Sequence, residues 1–293
     1  MDKNVLKADW LLLLTAVIWG SAFVAQRVGM DHVGPFLFNG VRFTLGALVL
    51  LPLVLRQKPL VPPEEGKAVG GGNRALVWGG GIAGVVLYTA AALQQAGLVY
   101  TTAGKAAFIT GLYVIIVPIL GLLWGFRPRW GGWLGACLAV VGLYLLSVTE
   151  DFRLAPGDFL VLVSAFFWAV HVLILGWLSP RVRRLRLAFI QFLVCAFMSL
   201  VSAALFEPVT AEGLRGAAIP ILYGGLLSVG VAYTLQVVAQ RHAPPVHAAI
   251  ILSLEAVFGA VAGWILLGEV LDLRAFVGCG LMLSGMLTAQ LWS

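Results

Sequence analysis

Apolar residues run through this chain in stretches of about twenty, broken by short polar segments. Ten such stretches lie near residues 9–29, 35–55, 75–97, 103–124, 130–149, 157–178, 188–206, 216–239, 246–268 and 274–292. Each has the length a helix needs to cross a hydrocarbon core ~30 Å thick. The pattern predicts an all-α membrane protein with ten transmembrane helices and little chain left for a soluble domain. The longest connection, 56–74, carries Pro59, Pro62, Pro63 and a Gly70-Gly71-Gly72 run, so it is predicted to be an irregular loop. The first span follows Lys3 and Lys7 as a signal peptide would, but its apolar run is too long for an h-region and it belongs to a repeat. It is expected to be retained.

The repeat is read from constant offsets. LLTAVIWGSAFV (13–24) matches LVSAFFWAVHVL (162–173) at 149, which pairs Thr15 with Ser164, Trp19 with Trp168 and Arg42 with Gln191. At 145, Tyr88-Thr89 meets Tyr233-Thr234 and Gln95 meets Gln240; at 142, KAAFITGLYVIIVPILG (105–121) meets HAAIILSLEAVFGAVAG (247–263). At 143, Gly135 and Gly142 meet Gly278 and Gly285. The division falls into residues 1–149 and 150–293, five spans each. An odd number of spans obliges the second copy to cross in the opposite sense. Inverted-topology repeats mark secondary transporters, whose substrate site lies near the midplane between the copies.

Composition agrees: 61% of residues are hydrophobic and 11% charged, with mean hydropathy +0.99, against about 25% charged in a soluble domain. The +6 net charge does not call for nucleic acid, because the basic residues sort by loop. With the N-terminus inside, thirteen Lys or Arg fall on inner segments, among them Lys3, Lys7, Arg56, Arg74, Arg129, Arg241 and the RVRRLR run at 181–186. Only Arg153, Arg215 and Arg274 fall outside. This bias predicts cytoplasmic termini, with 150–157 on the other side. Cys137, Cys195 and Cys279 lie within spans and suggest neither a disulfide framework nor a zinc site.

Polar residues inside the spans are the candidates for function, since lipid cannot satisfy them. Thr15, Trp19, Ala22 and Gln26 recur at helical spacing in the first span, and Ser164, Trp168 and His171 in the sixth. The third carries Tyr88 and Gln95, the eighth Tyr233, Gln236 and Gln240, the second Asn39 and Arg42. Lys105 and Tyr113 in the fourth correspond to His247 and Glu255 in the ninth. The predicted cavity is therefore Trp19, Asn39, Arg42, Tyr88, Lys105, Tyr113, Trp168, His171, Tyr233, Gln236, His247 and Glu255. Glu255 and His171 are the candidates for carrying a coupling proton. Competing structural roles are interface anchoring for Trp124, Gln95, Gln240, Lys105 and His247, snorkelling for Arg27, and pairing of Arg42 with Glu255 across the bundle.

These residues resemble the EamA domains of the drug/metabolite transporter superfamily. The fourth helix of such a repeat has a small-rich start, a mid-helix proline and a terminal Gly-Glu pair before a Gly-rich fifth helix. The first copy has TAGKAAF, Val117-Pro118 and then Gly131, Gly132 and Gly135; the second has SLEAVFGAVAGWILLGE with Glu255 and Gly268-Glu269. WGSAFV (19–24) also fits. Phe126 replaces the first glutamate and Ala256 a frequent proline, so the Gly-Glu pair is not essential in both halves and Glu269 is expected to be a turn residue.

The resemblance covers nearly the whole chain. It implies ten helices in a prokaryotic inner membrane and export of amino acids, aromatic ones included, or other small metabolites. Phosphorylated substrates would require cations, and only Arg42 and Lys105 are available, so apolar or aromatic amino acids moved by alternating access are the better expectation. The expected partners are the bilayer and a small-molecule substrate, with no nucleic acid, no metal and no cofactor; the expected state is a monomer. An intramembrane enzyme lacks support, with no HExxH, Gly-x-Ser-x-Gly or P-loop, and no catalytic residue is expected. A receptor would bind without flux.

Overall fold

A computed structural model describes residues 3–57, 73–123, 125, 128–147, 156–267 and 272–292. Most of the 56–74 connection, the segment 148–155, Trp124, Phe126 and Gly268-Glu269 lie outside the described residues. All regular structure among the described residues is helical. Ten spans follow in chain order: α1 Lys3–Gly29, α2 Pro35–Leu55, α3 Asn73–Leu98, α4 Ala103–Leu123, α5 Trp130–Ser147, α6 Pro156–Leu178 and α7 Arg184–Phe206. After a short turn at Ala211–Gly216 come α8 Ala218–Ala239, α9 in two segments, Pro245–Leu252 and Glu255–Leu267, and α10 Leu273–Leu291.

Local chemistry sets several starts. Pro35 and Pro245 open α2 and α9, where a missing N–H costs nothing. Thr102 and Asp272 cap α4 and α10, accepting from the Lys105 and Ala275 N–H groups. Helices α1 and α7 begin several residues earlier than the apolar runs, at Lys3 and Arg184. A hydropathy window sees only the apolar part of a helix whose charged first turns reach toward water.

The packing follows the duplication. α3 packs on α6 and α7, and their counterparts repeat the arrangement, α8 on α1 and α2. α4 against α6 is mirrored by α9 against α1, while α2–α7, α5–α10 and α4–α9 pair like with like across the two copies. Large apolar side chains such as Leu123, Phe197, Phe206, Ile219 and Leu273 face outward, a surface suited to lipid. Trp10, Trp78, Trp130, Trp177 and Trp292 are exposed at the end of the bundle that carries both termini, as an aromatic belt would be.

The α5–α10 crossing rests on glycine. A Cβ on Gly142 would lie 2.6 Å from the Gly278 carbonyl oxygen, and one on Gly135 would lie 2.6 Å from that of Gly285. Neither contact can relax by moving a side chain. Gly142→Val is therefore expected to lower stability by about 1–3 kcal/mol or more, read as a fall in the thermal unfolding midpoint in detergent. An unchanged midpoint would contradict this close crossing.

Two spans expected to be continuous are interrupted. α4 breaks at Leu112 between Ala103–Gly111 and Tyr113–Leu123, and α9 breaks at Ser253–Leu254. Both breaks are tightened turns: Leu112 N–H reaches Ile109 O and Leu254 N–H reaches Ile251 O, three residues back rather than four. Leu112 and Leu254 are repeat mates at offset 142. Pro118 lies beyond the first break and no proline attends the second, so sequence gives no physical account of either. Within α8, residues Tyr223–Tyr233 wind as a π-helix, a form concentrated at functional sites.

Candidate functional site

Seven of the ten helices converge on a cavity at the level of the two breaks. α1 contributes Trp19, Phe23 and Gln26, one stripe at helical spacing. α6 contributes Trp168 and Val172, α3 contributes Gln94, and α4 contributes Thr110 and Tyr113. α8 brings Ser228, Tyr233 and Gln236, α9 brings Leu252 and Glu255, and α2 brings Arg42. α1 reaches the site by a close crossing with α9: a Cβ on Gly20 would lie 2.6 Å from the Glu255 carbonyl oxygen.

Aromatic rings form the walls. Tyr233 lies between the repeat mates Trp19 and Trp168, with centroids 4.5 Å and 6.0 Å away. Each indole N–H has a partner: Trp19 donates to the Ser228 carbonyl at 3.3 Å, and Trp168 to Gln94 Oε1 at 2.6 Å. Gln94 is further tied to Thr110 and Gln26, while Gln95 donates to the Gln26 backbone. This network fixes the wall formed by α1, α3, α4 and α6.

Among the described residues one basic and one acidic side chain, Arg42 and Glu255, face the cavity, each from a different repeat. Arg42 is 2% exposed. Its Nε donates to Asn39 Oδ1 at 2.9 Å, and its guanidinium lies 5.5 Å and 5.1 Å from the centroids of Phe38 and Phe43, close enough for cation–π attraction. Asn39 is fixed in turn by donating to the Ala91 carbonyl. Glu255, also buried, opens the second segment of α9. Among the described residues no ion pair joins Arg42 to Glu255. The alternative of a structural pair between these two residues is not formed here: Arg42 is held by Asn39, Phe38 and Phe43 instead.

The repeat mates of the charged residues are neutral. Gln191 stands where Arg42 would be and Tyr113 where Glu255 would be. The Tyr113 hydroxyl faces the Glu255 carboxylate without closing a hydrogen bond of standard geometry, and Tyr113 Oη, Gln236 Oε1 and Glu255 Oε1 are buried without partners among the described residues. Buried polar atoms are seldom left so. Together they offer a hydrogen-bonding pole rich in acceptors, while Arg42 offers a donor-only pole.

Of the residues predicted to line the cavity, Trp19, Arg42, Tyr113, Trp168, Tyr233, Gln236 and Glu255 do so. Five do not, each for a local reason. Asn39 sits behind Arg42 as its support. Tyr88 points toward α7 and shares a 2.6 Å hydrogen bond with Ser202. His171 lies behind Trp168, edge-on to it, and donates from Nε2 to Gln191 at 2.8 Å. Lys105 and His247 lie near opposite ends of the bundle, against Asp158 and Asp9 respectively. Phe23, Gln26, Gln94, Thr110, Val172, Ser228 and Leu252 line the cavity and were outside the predicted set, although Gln26 was on the stripe read from the first span. Phe23 was legible one turn beyond Trp19, and Thr110 one turn before Tyr113; Gln94 was masked by its neighbour Gln95, which fitted the repeat.

The EamA-like transporter family model matches residues 6–148 and again 155–289. An uncharacterized transporter of Archaeoglobus fulgidus is 32% identical over 289 residues, covering 98% of this chain and 86% of its own. The uncharacterized transporter YoaV of Bacillus subtilis is 24% identical, covering 94% of this chain and 93% of its own. The uncharacterized inner membrane transporter YedA of Escherichia coli is 25% identical over 170 residues, 57% of this chain and 52% of its own. A solved crystal structure shares the fold, with TM-score 0.74 at 20% identity over 97% of this chain and 96% of that one. With two matched repeats, ten spans and a polar cavity between the copies, the chain is a multi-pass membrane transporter of the EamA-like family.

Proposed function

We propose that the protein exports small zwitterionic metabolites, foremost amino acids with apolar or aromatic side chains, across a prokaryotic inner membrane. The observation that carries this reading is the separation of charge in one aromatic-walled cavity: Arg42 from the first repeat, Glu255 from the second, and no ion pair between them. An α-carboxylate matches the guanidinium, an ammonium matches the carboxylate with the acceptors of Tyr113 and Gln236, and an apolar side chain matches the walls of Trp19, Phe23 and Trp168. Movement of one repeat against the other then exposes this site to each side in turn. Glu255, at a helix break, is also the group placed to carry a coupling proton.

Purified protein in sealed liposomes, given no added cofactor, tests the reading. An aromatic amino acid should be transported, and its decarboxylated amine and its deaminated acid should each compete about tenfold or more less well, because each engages one pole. Equal competition by either analogue would overturn the two-pole site, and binding without flux would mark a receptor.

The terminus-bearing end is assigned to the cytoplasm by the positive charges. In a cysteine-free background, Arg181→Cys should react with an impermeant maleimide only in inside-out vesicles and Glu212→Cys only in right-side-out vesicles. The reverse pattern would invert the assignment.

A further inference from the structure

We propose that two acid–base contacts related by the repeat, Asp9–His247 and Lys105–Asp158, are latches that close opposite ends of the transport pathway by turns. The four residues form one pattern seen twice. Asp9 and Asp158 are mates at offset 149, and His247 and Lys105 are mates at offset 142. Each contact bridges the two repeats: Asp9 on α1 meets His247 on α9, and Lys105 on α4 meets Asp158 on α6. The inverted topology puts the first at the terminus-bearing end and the second at the other.

Position in the helices supplies the mechanical link. His247 and Lys105 each sit near the start of a short half-helix, Pro245–Leu252 and Ala103–Gly111, that ends at a break. Eight residues separate His247 from Glu255 and Lys105 from Tyr113, about 12 Å at helical rise. Each half-helix thus carries a latch at its outer end and borders the cavity at its inner end. Swinging it away from the opposite repeat separates an acid from its base at one end only. The contacts are unequal in this structure. His247 Nε2 lies 2.7 Å from Asp9 Oδ1 with both side chains buried, whereas Lys105 Nζ lies 3.7 Å from Asp158 with its side chain 28% exposed. Asp158 also accepts from Thr101 Oγ1.

The proposal rests on the transporter reading but on no choice of substrate. Ser228→Cys in a cysteine-free background places a reporter in the cavity wall, labelled by impermeant maleimide in vesicles of each orientation. Asp9→Asn should raise the rate from the terminus-bearing side about tenfold and lower it from the other, since a buried pair that loses one partner no longer holds. Asp158→Asn should do the opposite. Both variants shifting labelling toward the same side, or neither shifting it, would overturn the latches. If Asp9→Asn does not accumulate in the membrane, the exchange Asp9→His with His247→Asp carries the test: parent-like labelling supports the latch, and failure to restore it refutes it. No substrate enters these measurements, so they fail or succeed apart from the zwitterion reading.

Discussion

Glu255→Gln is expected to fold and reach the membrane, yet lose about 30- to 150-fold in apparent affinity for a zwitterionic substrate. The change keeps the side chain's volume and removes only its charge. A hydrogen bond between charged groups contributes about 1.5–3 kcal/mol, the upper part of which corresponds to such a loss. The fold should survive because Glu255 pairs with no cation among the described residues, so glutamine strands none of them. Substrate protection against thermal unfolding, measured beside flux, separates binding from transport. A variant with parent-like affinity that no longer responds to a proton gradient would assign the carboxylate to proton carriage. One that expresses, binds and transports as the parent does would leave Glu255 with no role in the site.

Trp168→Ala is expected to cost about 3 kcal/mol of stability. Truncating a buried Trp removes most of its contacts and leaves a void the bundle only partly fills, a loss of about 3–5 kcal/mol in soluble cores. The lower end applies here, because lipid is as apolar as the wall and little solvent-exclusion energy is at stake. The indole is 8% exposed, stacks on Tyr233 and donates to Gln94. Trp168→Phe should recover much of the stability through the ring while leaving the network of Gln94 short of a donor. Trp19→Ala should cost less, since Trp19 is only half-buried. Unfolding midpoints in detergent order the three variants, and a parent-like Trp168→Ala would show that this ring is not packed as described.

Much of the architecture was legible because a bilayer leaves few choices: every span must be long, apolar and helical, and a duplicated chain shows its copies at fixed offsets. Helix periodicity also identified which spans carry polar stripes. It did not say what those stripes meet. Tyr88 and His171 look like cavity residues until Ser202 and Gln191, more than a dozen residues away in sequence, are brought beside them. Lys105 and His247 share the helices of Tyr113 and Glu255, but eight residues of rise carry them away from the cavity. The breaks at Leu112 and Ser253–Leu254 have no proline at them, and Gly111 beside the first is one of many glycines within the spans, so neither break was marked out in the sequence.

The unequal halves of the cavity bear on ancestry. Two identical copies of the first half, assembled head to tail, would set two Arg42 guanidinium groups around the site with tyrosines at both positions opposite. Two copies of the second would set two carboxylates there, with glutamines in place of the cations. Neither symmetric dimer could present one positive and one negative group to a single solute. Only two unlike halves together make a chamber with one group of each sign, and carrying both in one chain guarantees that every molecule holds one of each.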